Sequence, residues 1–280
     1  ARLRGSAVGL VGTHAPGFVN MAADGPALHR QLGVQLRHFG LHEFIDRIHA
    51  IEDDRVAADL ARVRALGIPS RDAGDDALPL ASRSYLAMTD LLADEHLAAL
   101  AVRCWPELPA ALDHWPYLGM VRMLTDGQAV ACEGDVLGAV CLHLGHMLGL
   151  GQGYLSDWLE HDARRVAFWH TGICPLGLME PVGSEHGPRL ATQFNNNKPV
   201  VVEGRMKADM DVTVFRLWRC DGRYHMTAFE GRTVEPPRPW RGTNAWAAFP
   251  GRDCRELFDT LVHAGMPHHP ILFAGHHADT

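Results

Sequence analysis

No apolar run in this chain approaches the ~20 residues that a membrane-spanning helix needs. The first eight residues carry charge but no apolar core of signal-peptide length. There is no basic block, and the net charge is −7, so neither nucleic acid nor a membrane is an expected partner. Six cysteines, at positions 104, 132, 141, 174, 220 and 254, form no CxxC pair and no regular spacing. That argues against a zinc site of Cys ligands and reads as reduced, mostly buried thiols of a cytoplasmic protein. Gly9, Gly12 and Gly17 miss the GxGxxG spacing, so a plain strand-to-helix loop is favoured over a dinucleotide site. No internal repeat or low-complexity stretch is present, and the run 195–197 of three Asn is too short to count as one.

What is there is an ordinary globular composition. The chain has 280 residues, 47% hydrophobic and 21% charged, enough for one large or two medium domains. Ala7 to Gly12 is a short apolar run of the kind buried in parallel sheets. The spacing predicts helices over 26–39, 53–66, 78–92 and 117–124, with strands over 97–102 and 128–131 between them. Alternation of this kind implies an α/β layer on a parallel sheet. A very apolar helix follows at 136–150 and ends at Gly149, Gly151 and Gly153, the expected boundary between two domains. Beyond it strands predominate, at 166–170, 200–204, 211–218 and 223–229, with a helix over 253–264 and a last strand at 271–274. Asp221-Gly222 between two such runs predicts a hairpin. The expected class is therefore α/β: a Rossmann-like parallel-sheet domain over 1–148, then a mixed, strand-rich domain over 149–280.

The chemistry gathers around Ala131-Cys132-Glu133-Gly134-Asp135, where a strand ends in two acids at a helix start. Taken alone, such acids are caps or partners of the helix dipole. Downstream come Asp157, His170 and the pair His268-His269, among 18 histidines in all. Two acids and an imidazole are oxygen and nitrogen donors that suit a hard or borderline divalent metal such as Mn²⁺.

Four places in the chain resemble the L-fucose isomerase / L-arabinose isomerase superfamily, on its fucose-isomerase-like branch. They are Cys104-Trp105-Pro106, the 131–135 element with Gly138-Ala139, Asp157 placed 24 positions after Glu133, and Pro267-His268-His269 with Gly275-His276. The resemblance implies a barrel-like second domain and a cytoplasmic Mn²⁺-dependent aldose–ketose isomerase acting through a cis-enediol. It implies Glu133, Asp157 and His269 as metal ligands, with Glu133 and Asp157 also moving protons. His170, in a His-x-Gly element, is either a contact to substrate or metal or a core histidine on a strand. His276 is expected to orient His269 or a sugar hydroxyl, and Asp135 to cap the helix. Trp105 and Trp246, with Trp169 and Trp240, offer sugar-stacking faces, although most tryptophans are core. The family also implies a domain preceding Ala1 and a homo-oligomer, often a hexamer; both ends of the chain read as trimmed. Two alternatives stand beside this reading: a non-catalytic sugar-binding or regulatory relative, and a metal-dependent hydrolase or lyase on the same ligands.

Overall fold

The computed structural model describes residues 3–238 and 240–279. Ala1 and Arg2 of the charged N-terminal stretch and the terminal Thr280 lie outside the described residues. In the first half, β1 (Ala7–Val11) leads to α1 (Gly25–Ala27), which widens into a π-type turn ending at Leu32. Then come β2 (Gln35–Phe39), α2 (Leu41–His49), α3 (Asp53–Ala65), α4 (Leu78–Asp94) and β3 (Ala99–Val102). After these follow α5 (Glu107–Leu112), α6 (Tyr117–Thr125), β4 (Ala129–Ala131) and α7 (Val136–Leu148). The strands pair in parallel in the order β2-β1-β3-β4. Every residue of β1, β3 and β4 is buried, which is why their sequences read as short apolar runs.

The single helix expected over 26–39 is instead a short helix and a strand. The chain breaks at Gly33, and Gln35–Phe39 pairs only with β1 at the sheet edge. An edge strand with an exposed face carries polar residues and lacks the apolar signature of its neighbours.

The second half is built from β5 (Gly153–Leu155), β6 (Asp157–His161), β7 (Arg165–His170), β8 (Arg189–Ala191) and β9 (Val201–Arg205). It continues through β10 (Asp211–Cys220), β11 (Arg223–Val234), β12 (Thr243–Ala248), α8 (Cys254–His263) and β13 (Ile271–Ala274). Asp221 and Gly222 both take positive φ between β10 and β11, the twist a two-residue hairpin needs. The sheet runs β5-β13-β10-β11-β12-β7-β6, with β8 and β9 attached beside β12. Only Ser156 separates β5 from β6. The stretch 153–161 pairs with β13 and its approach on one side, through Ser156 N to Pro270 O and Trp158 N to His268 O, and with β7 on the other. The sheet therefore curls back to its own first strand, in a barrel-like closure.

α7 lies between the two sheets. It packs on β1, β3 and β4 and, through its other face, on β5, β10 and β13. One continuous apolar core includes residues of both sheets. Close approach to the barrel depends on missing side chains: a methyl at Gly145 would collide with the ring of Phe273, and one at Gly138 with Leu155. Among the described residues no helix is long and apolar enough to cross a membrane. Replacing Gly145 by Ala would stabilise an isolated helix by about 1 kcal/mol. Here the overpacking against buried Phe273 should instead lower the unfolding free energy by about 1–3 kcal/mol, measurable in urea titrations.

Candidate active site

Between β4 and α7 the chain reverses over two residues of positive φ, Glu133 (61°) and Gly134 (69°). A side chain at Gly134 would run into the Thr13 carbonyl, so only glycine fits there. The turn is held from both sides: Ala15 N–H donates to the Glu133 carbonyl (2.9 Å), and Gly134 N–H donates to Val102 O (3.0 Å). The left-handed conformation at a non-glycine residue costs on the order of 1 kcal/mol and aims the Glu133 carboxylate away from the helix. Its Oε1 accepts from the Trp105 indole N–H at 2.7 Å.

Asp135, the next acid, is fully buried at the N-terminus of α7. Its Oδ1 accepts from Gly138 N–H (2.8 Å), and both oxygens accept from the Arg216 guanidinium at 2.6 and 2.9 Å. Burial alone would raise this carboxyl, but Arg216 and His269 together hold it far below the usual carboxylate range. His269, also fully buried, sits just before β13 with Nδ1 at 3.1 Å from Asp135 Oδ2. That contact orients the ring and leaves Nε2 facing the cluster. Nε2 lies 2.9 Å from Glu133 Oε2 and 3.2 Å from Asp157 Oδ1.

These separations are short, yet neither His269 Nε2 nor Glu133 Oε2 has a partner in hydrogen-bonding alignment, and both are shut off from solvent. Their charge attraction at 2.9 Å offsets part of the cost of burying them, and a bound cation would satisfy both atoms in its place. Burial works against a charged His269, but Asp135, Asp157 and Glu133 outweigh it and hold the imidazole pKa well above its ordinary value. Burial likewise opposes ionisation of Glu133 and Asp157, and the neighbouring histidines reverse that, so both carboxyls are depressed.

Asp157 opens β6, in register with Trp169 on β7. His268 Nε2 approaches it at 3.7 Å. Burial and the adjacent His269 push His268 down to about 4. Ligand atoms of Glu133, Asp157, His268 and His269 all lie within 4.8 Å of one another. Buried His170 ends β7. Its Nδ1 accepts from Thr171 N–H (2.8 Å), which leaves the ring proton on Nε2, 2.9 Å from Cys132 Sγ. Burial lowers its pKa, which favours the neutral ring.

Glu133, Asp157 and His170 line a cleft of about 560 Å³. Aromatic rings supply much of its wall: Phe18, Trp105, Trp115, Tyr117 and Trp169. Such rings fit the apolar faces of a sugar. Its polar lining also includes Gln193, Asn195, Asn196 and Lys198.

Of the residues singled out in the sequence, Glu133, Asp157, His269, His170 and Trp105 come together here. His276 does not. Its half-exposed ring faces Asp211 and Glu230 at 3.8 and 3.9 Å, and Asp135 performs the orientation of His269 expected of it. Trp246 does not reach the cleft either. It packs on Trp240 (5.5 Å) beneath the Arg165 guanidinium, while Thr243 of the same strand pairs with His170. His268, which is not among the ligands the resemblance implies, joins the cluster because residues 267–270 are an irregular loop that lets adjacent side chains face one way. Arg216 went unread although its signal is local. It shares one face of β10 with Val212, Val214 and Trp218, and an arginine on such a face requires a buried acid.

No family model matches the chain. Sulfoquinovose isomerase from Alkalicoccus urumqiensis is 25% identical over 274 residues, covering 95% of this chain and 60% of that protein. The sulfoquinovose isomerase of Priestia aryabhattai is 25% identical over 272 residues, 95% and 59% of the two chains. That of Clostridium sp. (strain MSTE9) is 26% identical over 272 residues, 93% and 58%. The chain thus spans about 60% of the length of the curated relatives it matches.

Replacing Arg216 by Met strands the Asp135 charge and should cost about 3–5 kcal/mol of unfolding free energy. Adding Asp135→Asn, which keeps the helix cap and removes the charge, should recover part of that loss. Denaturant titrations of the two variants check the order.

Proposed function

We propose that the chain carries the catalytic cleft of a divalent-metal-dependent aldose–ketose isomerase, in the manner of the L-fucose isomerase / L-arabinose isomerase superfamily. One observation carries the reading: the buried, unpartnered convergence of Glu133 Oε2 and His269 Nε2 beside Asp157. The similarity to sulfoquinovose isomerases supports the reaction class independently of that geometry. The donor set fits a metal: two carboxylates and an imidazole whose other nitrogen is tied to a carboxylate. Glu133, Asp157 and His269 would hold the ion, with His268 as a neighbouring donor. When bound, a divalent ion such as Mn²⁺ stabilises the negative charge that develops on the two sugar oxygens.

The chain's own residues do the rest. Trp105 fixes Glu133 through one oxygen and leaves the other toward the cluster. Glu133 takes the proton from C2 of the open-chain aldose and returns it to C1. Asp157, whose carboxylate is a fifth exposed toward the cleft, carries the proton that leaves O2 and appears on O1. His170, neutral and tied to Thr171 and Cys132, presents a fixed ring edge to the sugar. The aromatic walls limit water at the reacting carbons.

Incubation with sulfoquinovose, glucose and fucose in the presence of Mn²⁺ should yield the corresponding ketose from at least one of them, read by NMR. Binding without conversion would support a sugar-binding relative, and cleavage products a hydrolase or lyase. Glu133→Gln should lower kcat by about 10²-fold or more, since a positioned base contributes about that much.

A pH dependence follows from His269. Its folded-state pKa lies above the unfolded value of about 6.5, so the proton's contribution to stability is complete below that pH and is lost as pH rises through the folded pKa. A metal ion must displace that proton. The rise in Tm caused by Mn²⁺ should therefore grow as the pH is raised from about 6.5 through His269's folded pKa. Calorimetry with and without the ion measures it.

A further inference from the structure

Cys132 and His170 make a buried pair whose sulfur the proposed reaction does not use. His170 Nε2 lies 2.9 Å from Cys132 Sγ, and both side chains are shut off from solvent. A Cys–His pair at such a distance has the outline of a nucleophilic dyad, in which the imidazole takes the thiol proton. Here the proton runs the other way. Thr171 N–H donates to Nδ1 (2.8 Å), so the neutral ring carries its hydrogen on Nε2 and donates it to the sulfur. Burial pushes the Cys132 thiol up, which favours an uncharged acceptor over a nucleophilic thiolate.

The neighbour of the pair explains it. A ring nitrogen of His170, Cys132 Sγ and a carboxylate oxygen of Glu133 all lie within 4.8 Å of one another. Besides His269, three N–H groups come close to Glu133: the Trp105 indole, the backbone N–H of Glu133 itself and the His170 ring. Among the described residues only the first bonds the carboxylate, at Oε1 (2.7 Å). The backbone N–H goes to Cys104 Sγ (3.3 Å), and the His170 proton goes to Cys132 Sγ. Oε2 is left buried and without a hydrogen-bond partner. A bond from His170 to that carboxylate would be charge-assisted, roughly twice as strong as a neutral one, and an arriving ion would have to displace it. Sulfur suits the diversion. It is a weak acceptor, and as a neutral thiol it adds no third negative charge beside Glu133 and Asp157.

We infer that Cys132 is a positioning residue: its sulfur holds the His170 proton away from Glu133 and so keeps Oε2 free for a divalent ion. The role rests on the metal-dependent reading above; the direction of the Cys132–His170 bond does not.

The first test is ¹⁵N NMR of the imidazoles in the metal-free wild type, which should show His170 protonated at Nε2 alone. A proton on Nδ1 overturns the proposal before any variant is made. The second is a double-variant cycle read by Mn²⁺ calorimetry. Cys132→Ala should weaken Mn²⁺ binding about tenfold, the lower end of what losing an outer partner of a metal ligand costs. Cys132→Ser, which still accepts from Nε2, should recover most of the affinity. In a His170→Phe background no ring proton remains to divert, so the same Cys132→Ala change should cost less than about twofold. An equal loss in both backgrounds means that Cys132 only fills space and overturns the role. An unchanged affinity in Cys132→Ala, or a Ser variant as weak as the Ala variant, overturns it too. A wild type that keeps the proton on Nε2 yet binds no Mn²⁺ overturns the metal reading, and the role of Cys132 falls with it. Mn²⁺ binding by the wild type with a failed cycle overturns the role of Cys132 alone.

Discussion

The buried Arg216–Asp135 pair is the contact on which the rest of the site depends. Removing two charges from water costs several kcal/mol per ion, and only complete satisfaction offsets it. Asp135 achieves that with four contacts: two from Arg216 on β10, one from the α7 backbone and one with His269 before β13. One carboxylate therefore joins the helix packed on the parallel sheet to two neighbouring strands of the barrel. It also selects which nitrogen of His269 faces Glu133 and Asp157. Position of the helix and orientation of the candidate ligand are the same interaction.

Around that anchor the cleft lining is mixed. Glu133, Asp157 and His170 share it with Gln193, Asn195, Asn196 and Lys198, and aromatic rings supply much of the remaining wall.

Several elements were legible because their causes are local. β1, β3 and β4 are buried on both faces and read as apolar runs; Asp221-Gly222 sets its hairpin through backbone twist; α7 is mostly apolar because sheets cover two of its sides. Elements that depend on distant neighbours were not. β2 is polar because it is an edge, and β12 is a strand because β7, β9 and β11 surround it. The Asn run at 195–197 is unremarkable as a string and acquires meaning only where Gln193 and Trp115 lock its amides in place.

The sequence by itself determined the donor chemistry. Glu133 stands at a strand-to-helix turn followed by glycine, and Asp157 and the pair His268-His269 supply further oxygen and nitrogen donors downstream. Tertiary structure alone decided which groups meet. It gave His269 Asp135 as a partner rather than His276, sent Trp105 into the cleft and Trp246 away from it, and put His268 beside Asp157. The reason is physical: residue type sets what an atom can donate or accept, while burial and orientation come from packing between elements distant in sequence.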